Sequence, residues 1–416
     1  MKLLFVHQNM PGQYREIVKW LGAQQLHEIY FLTQRKQPPQ IPGVKVCVYT
    51  PHHVPKQDAY GLSKVWEQAT GAGFGAAMAA QRLSRETGFI PDLVIGHVGW
   101  GELTFFKEIW PKVPIIGFFE YYYRMTGGMV GFDPEEHISD HSPFLNHARN
   151  AVPLANIETV DLGHSPTLWQ RDRFPARFHD KIYVCHDGIR TDVLRADPDV
   201  SLQLGRLTQK LTRRDEVFTY VARNLERARG FHIFMRALPR ILAARPEARV
   251  LIVGGNESSY SGKSKVQGGL RAEMEAEVGK DLDWSRVHFL GRVPYADYQK
   301  IIQISRCHVY LTMPFVLSWS LLEAMSMEAT IVSSDVAPVR EAVTHEETGL
   351  LVDFFDVQVL ADQVIHVLAE PERFAQLGRQ ARQHAIENYD FLTRCLPVHL
   401  AQINALVPLE KRIALP

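Results

Sequence analysis

The 416-residue sequence contains only four cysteines, and these (Cys47, Cys185, Cys307 and Cys395) form no CxxC pair. A zinc site with the usual ligand spacing is therefore not expected. Scattered single cysteines fit a reducing compartment better than a disulfide framework. We therefore expect a cytoplasmic protein.

An excess of charge of one sign and long apolar runs are missing as well. Lys and Arg together number 46, as do Asp and Glu, so the formal net charge is zero. This balance argues against a nucleic-acid-binding protein. The first apolar run, residues 3–6, is too short for a signal peptide, and no run reaches the ~18 residues of a membrane span. Peripheral contact with the inner face of the cytoplasmic membrane stays open.

Two nucleotide-binding motifs are also absent. No GxGxxG follows any candidate strand, which argues against an NAD-dependent dehydrogenase. The stretch "GGNESSYSGKS" is two residues too long between Gly255 and Gly262 for a phosphate loop, which excludes that class of NTPase.

Short apolar runs alternate with helical patterns along the whole chain, which indicates parallel sheets covered on both faces. The length and the two series of strands predict an α/β protein with two Rossmann-like, doubly wound domains. We expect the boundary within "HDGIRTDVLRADPDVSLQ", giving domains 1–192 and 193–390, and an amphipathic helical tail over 391–416. The predicted strands are residues 3–6, 28–32, 45–49, 93–96, 115–119, 181–185, 217–222, 248–253, 287–290, 309–311 and 330–333.

The strongest candidate site lies in "YVARNLERARGF". Arg223 ends an apolar strand, and Arg229 precedes a helix that begins near Gly230. Ligands of open α/β sheets bind at the carboxyl ends of strands, and helix N-termini favour anions. Two guanidinium groups there suit a diphosphate. A solvated, arginine-rich turn is the alternative.

Two further turns follow strands of the second series. Gly254 and Gly255 end one strand, so that a ligand can approach the backbone closely, and the loop after them can order over a nucleotide. Gly291 and Arg292 follow the next strand, where backbone groups can pair with a base edge. A plain strand–turn–helix connection fits the latter segment equally well.

An acidic residue stands inside the apolar stretch "PFVLSWSLLEAM". A helix that begins near Ser318 places Glu323 in its second turn, beside the buried face. A carboxylate near a helix N-terminus is favoured electrostatically and can accept hydrogen bonds from a ribose diol. An ordinary surface glutamate is the alternative.

The first domain offers polar and aromatic candidates behind its strands. His97 and Glu102 lie in "GHVGWGE", and Glu120, Tyr121 and Tyr122 lie in "FFEYYYR". Three consecutive tyrosines are not expected to be buried together, and an exposed aromatic cluster is typical of a binding surface. Gly12, between the first strand and the first helix, is expected to leave room for a phosphate or a sugar.

Taken in order, these motifs resemble the nucleotide-sugar-dependent glycosyltransferases of family 4. The matching pieces are "ARNLERARGF", "RVLIVGG", "VHFLGRVPY", "LLEAMSMEATIVSSDVAPVREAV" and "TGLLVDFFD". The resemblance implies the GT-B fold, in which two Rossmann-like domains face a cleft and a C-terminal helix crosses back to the first domain. It also implies a nucleotide-binding second domain and an acceptor-binding first domain.

The resemblance also implies roles for the donor-side residues. Arg223 and Arg229 match the diphosphate-binding pair, and Glu323 matches the ribose ligand. Gly12 matches a glycine loop that faces the donor phosphates. The turn that contacts the base corresponds to Gly291, Arg292 and Val293.

Departures from the family pattern leave the sugar-side contacts open. Phe315 stands eight positions before Glu323, where the family usually has a second glutamate. Backbone amides of Val316, Leu317 and Ser318 are the remaining candidates for those contacts. Many relatives have a histidine after the strand near Phe119.

Because Glu120 is the nearest polar residue to that missing histidine, it joins Arg223 and Arg229 as an expected catalytic group. Expected acceptor contacts are His97, Glu102, Tyr121 and Tyr122.

The implied activity is transfer of a sugar from a UDP- or GDP-sugar to a hydroxyl of a saccharide or lipid-linked acceptor, with retention at the anomeric carbon. This reaction belongs to cell-surface polysaccharide or glycoconjugate synthesis. We expect no metal and no cofactor beyond the donor, since arginines and helix N-termini can stabilise the leaving diphosphate. The alternatives are a sugar-nucleotide 2-epimerase of the same fold and a non-catalytic nucleotide-binding scaffold.

Overall fold

The computed structural model describes residues 1–205, 210–262, 264 and 266–415. These residues divide into two compact units. Unit 1 comprises Met1–Thr126, Ile138–Gly188 and Phe391–Pro416, and unit 2 comprises Gly127–His137 and Ile189–Asp390. The chain passes from unit 1 into the main segment of unit 2 after Gly188, four residues before the expected boundary. The C-terminal tail belongs to unit 1.

Unit 1 is organised around a parallel sheet that, in the described residues, has seven strands in the order β3-β2-β1-β4-β5-β6-β7. Its central strands are apolar and almost wholly buried, because helices cover both faces of the sheet. All six predicted strands are present, and β6, with the sequence LGHS, was missed because it lacks an apolar run. The strands are β1 (Lys2–Val6), β2 (Glu28–Thr33), β3 (Val44–Val48), β4 (Leu93–His97), β5 (Ile115–Phe118), β6 (Leu162–Ser165) and β7 (Ile182–Val184).

Helices of unit 1 come from both ends of the chain. The C-terminal helix returns to unit 1, where its apolar residues share a core with Leu3 and Phe5 of β1. A π-helical turn, Phe391–Cys395, leads into it. The helices are α1 (Arg15–Gln24), α2 (Gly61–Thr87), α3 (Phe106–Ile109), α4 (Ser142–Arg149), α5 (Ala151–Thr159), α6 (Leu168–Arg173) and, after those of unit 2, α14 (Leu396–Ala405).

Unit 2 repeats the plan with a parallel sheet of six described strands, in the order β12-β11-β10-β13-β14-β15. The five predicted strands are present, and β15 was missed because three residues carry too short a pattern. Two short strands, β8 (Ser201–Leu202) and β9 (Leu211–Thr212), form a separate antiparallel pair. The sheet strands are β10 (Val217–Asn224), β11 (Arg249–Gly255), β12 (Val287–Gly291), β13 (Cys307–Tyr310), β14 (Thr330–Ser334) and β15 (Leu350–Val352).

The helices of unit 2 pack on both faces of this sheet and complete a second core. Helix α10 begins after Ser318, whose side chain caps it, as the sequence predicted. The helices are α7 (Phe231–Ala244), α8 (Gly269–Val278), α9 (Tyr295–Gln303), α10 (Trp319–Ser326), α11 (Ala337–Arg340), α12 (Val357–Ala369) and α13 (Pro371–Tyr389). The α/β class with two doubly wound domains is thus confirmed.

One segment is placed differently from the expectation. Gly127–His137 lies within the range expected for the first domain, yet it packs with unit 2. Asp133 lies 3.2 Å from His232 Nε2, and Glu135 forms ion pairs with Arg227 and Arg236 at 3.0 and 2.5 Å. These partners are about a hundred positions away along the chain, so no local pattern could have indicated them.

The same residues form the one cluster of potential metal ligands found in the described parts of the chain: Asp133, Glu135 and His232. Its carboxylates already contact guanidinium groups. Hydrogen bonds from Arg236, together with Arg227, lower the pKa of Glu135 to about 2. The cluster is therefore an ion-pair network that holds Gly127–His137 in unit 2.

Among the described residues, no helix is long and apolar enough to cross a membrane.

Candidate active site

Each sheet has a point where the strand order reverses direction, and the candidate residues collect there. In unit 1 the reversal falls between β1 and β4, and in unit 2 between β10 and β13. Loops that leave the carboxyl ends of two such strands diverge and open a crevice for ligands. The two crevices are described separately below.

In unit 2, Arg229 closes the turn between β10 and α7. Its guanidinium donates to Thr312 Oγ1 at 2.8 Å and to the Val316 carbonyl at 3.2 Å. Its own carbonyl accepts a hydrogen bond from Tyr220 at 2.6 Å, which fixes the backbone. The side chain thus joins the loop after β10 to the loop after β13.

The charge of Arg229 is not neutralised within the described residues. The residue is only 9% exposed, yet its side chain contacts neutral oxygens and aromatic rings, and no described carboxylate forms an ion pair with it. A buried charge usually has a partner of opposite sign. The arrangement is therefore that of a site prepared for an anion.

Phe315 and Tyr260 form the apolar side of this crevice. Phe315 is buried, its ring lies 4.8 Å from that of Tyr260, and both rings lie within 6 Å of the Arg229 guanidinium. The position where family 4 usually has an acid is thus filled by the Phe315 ring, which packs at a tilted angle against the Tyr260 ring.

Glu226 holds the loop that carries Tyr260. One oxygen of its buried carboxylate accepts hydrogen bonds from the backbone amides of Ser259, Tyr260 and Ser261, at 2.8–3.1 Å. The part of the loop expected to be loose is therefore anchored here, while Lys263 and Lys265 lie outside the described residues.

Glu323 lies in the second turn of α10, and its carboxylate is buried. The Tyr295 hydroxyl donates to Glu323 Oε1 at 2.8 Å. Tyr295, at the start of α9, is itself 45% exposed. The acid is therefore held in a defined position, near residues that reach the surface, rather than solvated as an ordinary surface glutamate would be.

The remaining donor-side candidates line the neighbouring strand ends. Arg223 is the penultimate residue of β10 and has an exposed side chain. Arg292 donates to Asn224 Oδ1 at 3.1 Å and pairs with Glu257. A Cβ at Gly255 would lie 2.8 Å from Arg292 Nε and 2.5 Å from Asn224 Oδ1. A larger residue here would therefore have to displace the ends of these flexible side chains.

The backbone of residues 316–318 is partly engaged already. The Ser318 amide donates to the Tyr310 hydroxyl at 2.9 Å, and the Val316 carbonyl accepts from Arg229. The Ser318 amide therefore already has a hydrogen-bond partner within the protein. Leu317 contributes a buried side chain to the core.

In unit 1, an imidazole and a carboxylate meet at the carboxyl ends of β4 and β5. His97 Nε2 lies 3.3 Å from Glu120 Oε2, and His97 Nδ1 accepts a hydrogen bond from the Gly99 amide at 2.9 Å. This acceptor role of Nδ1 places the proton of the neutral ring on Nε2, the nitrogen nearer to Glu120. The exposed Trp100 ring lies 5.7 Å from His97.

A second imidazole supports the first. His7 follows β1, and its ring meets His97 edge-on at 5.5 Å. Burial and the neighbouring His97 lower the pKa of His7 to about 3. His7 is therefore neutral at physiological pH and acts as a packing and hydrogen-bonding group.

Glu102 lies close to His97. Its side chain is fully buried, burial raises its pKa, and Tyr49 donates to Oε1 at 3.0 Å while accepting from Gln34 at 2.9 Å. A carboxyl group so enclosed does not reach a bound acceptor directly. Glu102 is instead a buried residue that helps to hold Tyr49 in place.

Gly12 packs closely against His7, since a Cβ there would lie 2.9 Å from the His7 ring, and its φ of +54° favours glycine. The expectation for the tyrosines needs correction. Tyr121 and Tyr122 are half-buried, against Trp169 and Phe174 respectively. They do not form an exposed aromatic patch.

Several residues of the two crevices were not singled out from the sequence. Tyr295 and Trp100 lie in sequence motifs that contain other candidate residues. Membership of those motifs was therefore the available signal. His7, Tyr49 and Tyr260 carry no local signal, because their partners are distant in sequence.

Comparison with known proteins identifies the family of the chain. Residues 25–194 match the family described as "Glycosyl transferase family 4 group", and residues 207–384 match "Glycosyl transferases group 1". The chain is 28% identical over 275 residues to D-inositol 3-phosphate glycosyltransferase of Rhodococcus jostii, covering 60% of this chain and 58% of the relative. It is 26% identical over 253 residues to alpha-maltose-1-phosphate synthase of Mycolicibacterium smegmatis, covering 58% of this chain and 62% of the relative. The chain thus spans about three-fifths of the length of these curated relatives.

Solved structures share the fold at low sequence identity. Sucrose-phosphate synthase of Thermosynechococcus elongatus superposes with a TM-score of 0.70 at 17% identity, covering 97% of this chain and 99% of that one. Anabaena HepE in complex with UDP-glucose gives 0.67 at 14% identity, with the same coverage. With both halves matched, the chain belongs to the family 4 glycosyltransferases and has the GT-B fold.

Proposed function

We propose that this glycosyltransferase uses a nucleotide-diphosphate sugar, with UDP as the first candidate nucleotide, and transfers the sugar with retention to a hydroxyl of a saccharide or lipid-linked acceptor. The observation that carries the proposal is the buried, uncompensated charge of Arg229 at the switch point of unit 2. A diphosphate supplies the missing negative charge. Arg223, exposed at the end of β10, supplies a second guanidinium.

Glu323 is the proposed ribose ligand. Its carboxylate is held by Tyr295, and a diol can donate to a carboxylate in the same way. The base would then lie toward Gly291 and Arg292, as the family resemblance implies. UDP is favoured over GDP because the HepE complex contains UDP-glucose, although a Corynebacterium relative is named as GDP-mannose-dependent.

During transfer, negative charge develops on the leaving diphosphate. Donors that are already oriented toward this charge stabilise the transition state more than the ground state. Arg229 is oriented in advance by Thr312 and Val316, so little reorganisation is required. No step in this scheme needs a metal ion.

Unit 1 is proposed to bind the acceptor. The His97–Glu120 pair can orient a hydroxyl group, and the exposed Trp100 ring beside it suits the apolar face of a sugar. This arrangement favours a saccharide hydroxyl at the reacting position, whether the saccharide is free or attached to a lipid.

Thermal unfolding with UDP, GDP, ADP, CDP and dTDP, with and without Mg²⁺, tests the donor assignment. A ligand at 100 times its dissociation constant stabilises the folded state by ~2.7 kcal/mol. We expect one nucleotide to raise Tm without metal, and Glu323→Ala and Arg229→Ala to abolish the shift. Absence of any shift in the unsubstituted protein would overturn the assignment.

Product analysis with the matching nucleotide sugar then identifies the reaction. Transfer is expected only when a saccharide acceptor is added. A changed sugar nucleotide formed without acceptor would indicate an epimerase, whereas nucleotide binding without any turnover would indicate a scaffold.

A further inference from the structure

Arg229 belongs to a short turn of unit 2 that neighbouring loops hold in place. Arg227, Ala228 and Arg229 form a single 3₁₀ turn between β10 and α7. The Ala228 amide donates to Ser261 Oγ at 2.7 Å, and the Ala228 carbonyl accepts from the Met313 amide at 2.9 Å. Because the three residues share one tight turn of backbone, a displacement of Arg227 also displaces Arg229.

Arg227 is the residue of this turn that contacts the segment Gly127–His137. Its Nη1 lies 3.0 Å from Glu135 Oε2 and 3.5 Å from Asp133 Oδ2, and its Nη2 lies 3.1 Å from Glu273 Oε1. Two of these three carboxylates belong to the segment. Charge-assisted hydrogen bonds to a guanidinium group restrict its direction, so the segment helps to determine where Arg227 lies.

Asp133 contacts the chain on both sides of Gly230. Its Oδ2 pairs with Arg227 before that glycine and lies 3.2 Å from Nε2 of His232, the second residue of α7. The side chains of Asp133 and His232 are both fully buried. Asp133 Oδ1 accepts a hydrogen bond from the Glu135 amide at 2.8 Å, which orients the carboxylate. Asp133 thus links the segment to the turn and to the helix, and its side chain has no exposed surface that a nucleotide could contact.

Apolar packing fixes the segment on the other side of Asp133. The Phe132 ring lies 5.1 Å from the Phe354 ring and 5.2 Å from the Phe355 ring, measured between centroids. Phe354 is part of the buried core of unit 2. Asp133 is therefore held between an aromatic contact that precedes it and the ion pairs of Glu135 that follow it, so its position depends on docking of the whole segment.

We propose that Asp133 is a positioning residue for the donor diphosphate. Through Arg227 and His232 it fixes the turn that presents Arg229, so that docking of Gly127–His137 sets the diphosphate affinity of unit 2. This inference rests on the proposed function, in which Arg229 binds the diphosphate. The effect is reciprocal, because a segment that strengthens diphosphate binding is itself held more firmly, by the same factor, when the diphosphate is bound.

The direction of the effect separates positioning from simple electrostatics. Asp133 carries a negative charge near a site for an anion. Removing that charge, if it acted only through space, would strengthen anion binding, since like charges repel. Loss of the correct position of Arg229 would weaken anion binding instead. The two explanations therefore predict opposite changes in affinity.

Calorimetric titration of Asp133→Asn with UDP tests the proposal, because this substitution keeps the size of the side chain and removes its charge. We expect UDP affinity to fall about tenfold, or ~1.4 kcal/mol. Affinity for uridine, which has no phosphate and is measured by competition, should not change. Unchanged or tighter UDP binding would overturn the proposal, and so would an equal loss for uridine.

Glu277→Gln is the control for a change of one charge in the same ion-pair network. Glu277 pairs with Arg236, at 2.5 Å, and no ion pair with Arg227 is found for it in the described part of the chain. We expect this variant to bind UDP as the unsubstituted protein does. A loss equal to that of Asp133→Asn would overturn the specific role of Asp133.

A double-mutant cycle identifies the route of the effect. Residues that act through one another are not additive, so Asp133→Asn should change UDP affinity by less than about twofold once Arg229→Ala is present. The full loss in that background would show that Asp133 does not act through Arg229, and the proposal would be wrong.

Hydrogen exchange reports docking of the segment directly. The Glu135 amide donates to Asp133 Oδ1, and the Glu136 amide donates to the Asp133 carbonyl at 3.1 Å. We expect UDP to slow exchange of both amides in the unsubstituted protein, and not in Arg229→Ala saturated with UDP. Exchange that UDP leaves unchanged in the unsubstituted protein would contradict the coupling.

A second variant keeps the test valid if Asp133→Asn does not fold. Glu135→Gln weakens the pairs with Arg227 and Arg236 from a side chain that is 40% exposed, so the fold should tolerate it. We expect a smaller loss of UDP affinity in the same direction. Unchanged or tighter UDP binding in this variant would count against positioning by the segment.

Failure of this inference differs from failure of the proposed function. If the unsubstituted protein binds no nucleoside diphosphate, both are overturned. If UDP binds and Arg229→Ala weakens it, while Asp133→Asn leaves it unchanged, only the positioning role is overturned.

Discussion

The two crevices stand at the same topological position of similar sheets, yet they carry opposite chemistry. In unit 2, Arg229 is buried, and no carboxylate in the described part of the chain forms an ion pair with it. In unit 1, His97 already faces Glu120, and Glu102 is enclosed by Tyr49. The shared sheet topology places both crevices, and the loops give each crevice its own set of side chains.

The sharpest way to break this comparison is Arg229→Ala. Loss of one preorganised donor to developing negative charge typically costs ~10²–10³ in rate, and we expect a loss of that size in kcat at saturating donor. Arg229→Lys, which keeps the charge but not the two-pronged hydrogen bonding, is the matched control and should retain more activity. A loss below about threefold for the alanine variant, well short of the range for such donors, would remove Arg229 from the mechanism.

The second prediction concerns the other crevice. Glu120→Gln removes the charge that faces His97 Nε2, and we expect kcat to fall by ~10², as for a lost acid–base or orienting group. Nucleotide affinity, measured by calorimetry, should not change, because the residue belongs to the acceptor side. Weaker UDP binding with normal turnover would instead assign Glu120 to the donor side.

Lowering the pH should destabilise the fold around the unit 1 crevice, because folding keeps His7 unprotonated. Its folded-state pKa of about 3 lies below the usual value of 6.5, so the unfolded state binds more protons between these values. Stability is therefore full above pH 6.5 and is lost as pH falls, by about 1.4 kcal/mol per unit for this residue. Hydrogen exchange of the β1 amides measures the loss.

His7→Gln is the matched variant for that experiment, because it removes the titrating ring and leaves a polar side chain. Its β1 amides should show a shallower dependence on pH between 6.5 and 4. The same slope in both proteins would show that the ring is solvated rather than buried.

The smallest expected effect concerns the hydrogen bond between Tyr295 and Glu323 in unit 2. Tyr295→Phe removes the hydroxyl that donates to Glu323. A hydrogen bond to a charged group contributes about 1.5–3 kcal/mol, and a bound ribose would replace part of this, so we expect donor KM to rise by about tenfold with little change in kcat. A fall in kcat alone would assign Tyr295 to the chemical step instead.

Local patterns were sufficient for the fold and for much of the unit 2 crevice. Strands such as β10 are continuous apolar runs, and the helix carrying Glu323 follows from its cap and its spacing. Both features depend on neighbours in sequence. Motif order then supplied the family, which the comparisons confirm.

What could not be predicted depends on partners far apart in the chain. The tyrosines after β5 looked exposed because Trp169 and Phe174, which cover them, come some 50 residues later. This error arose because long-range packing, rather than local propensity, decides exposure there.

The division of the chain between the two units has a consequence for truncation. Phe391, Leu396 and Ile413 share a core with Leu3 and Phe5, so unit 1 needs segments from both ends of the sequence. Unit 2 needs only Gly127–His137 in addition to Ile189–Asp390. Removal of residues 391–416 would therefore leave every segment of unit 2 in place, while the sheet of unit 1 would lose one side of its core.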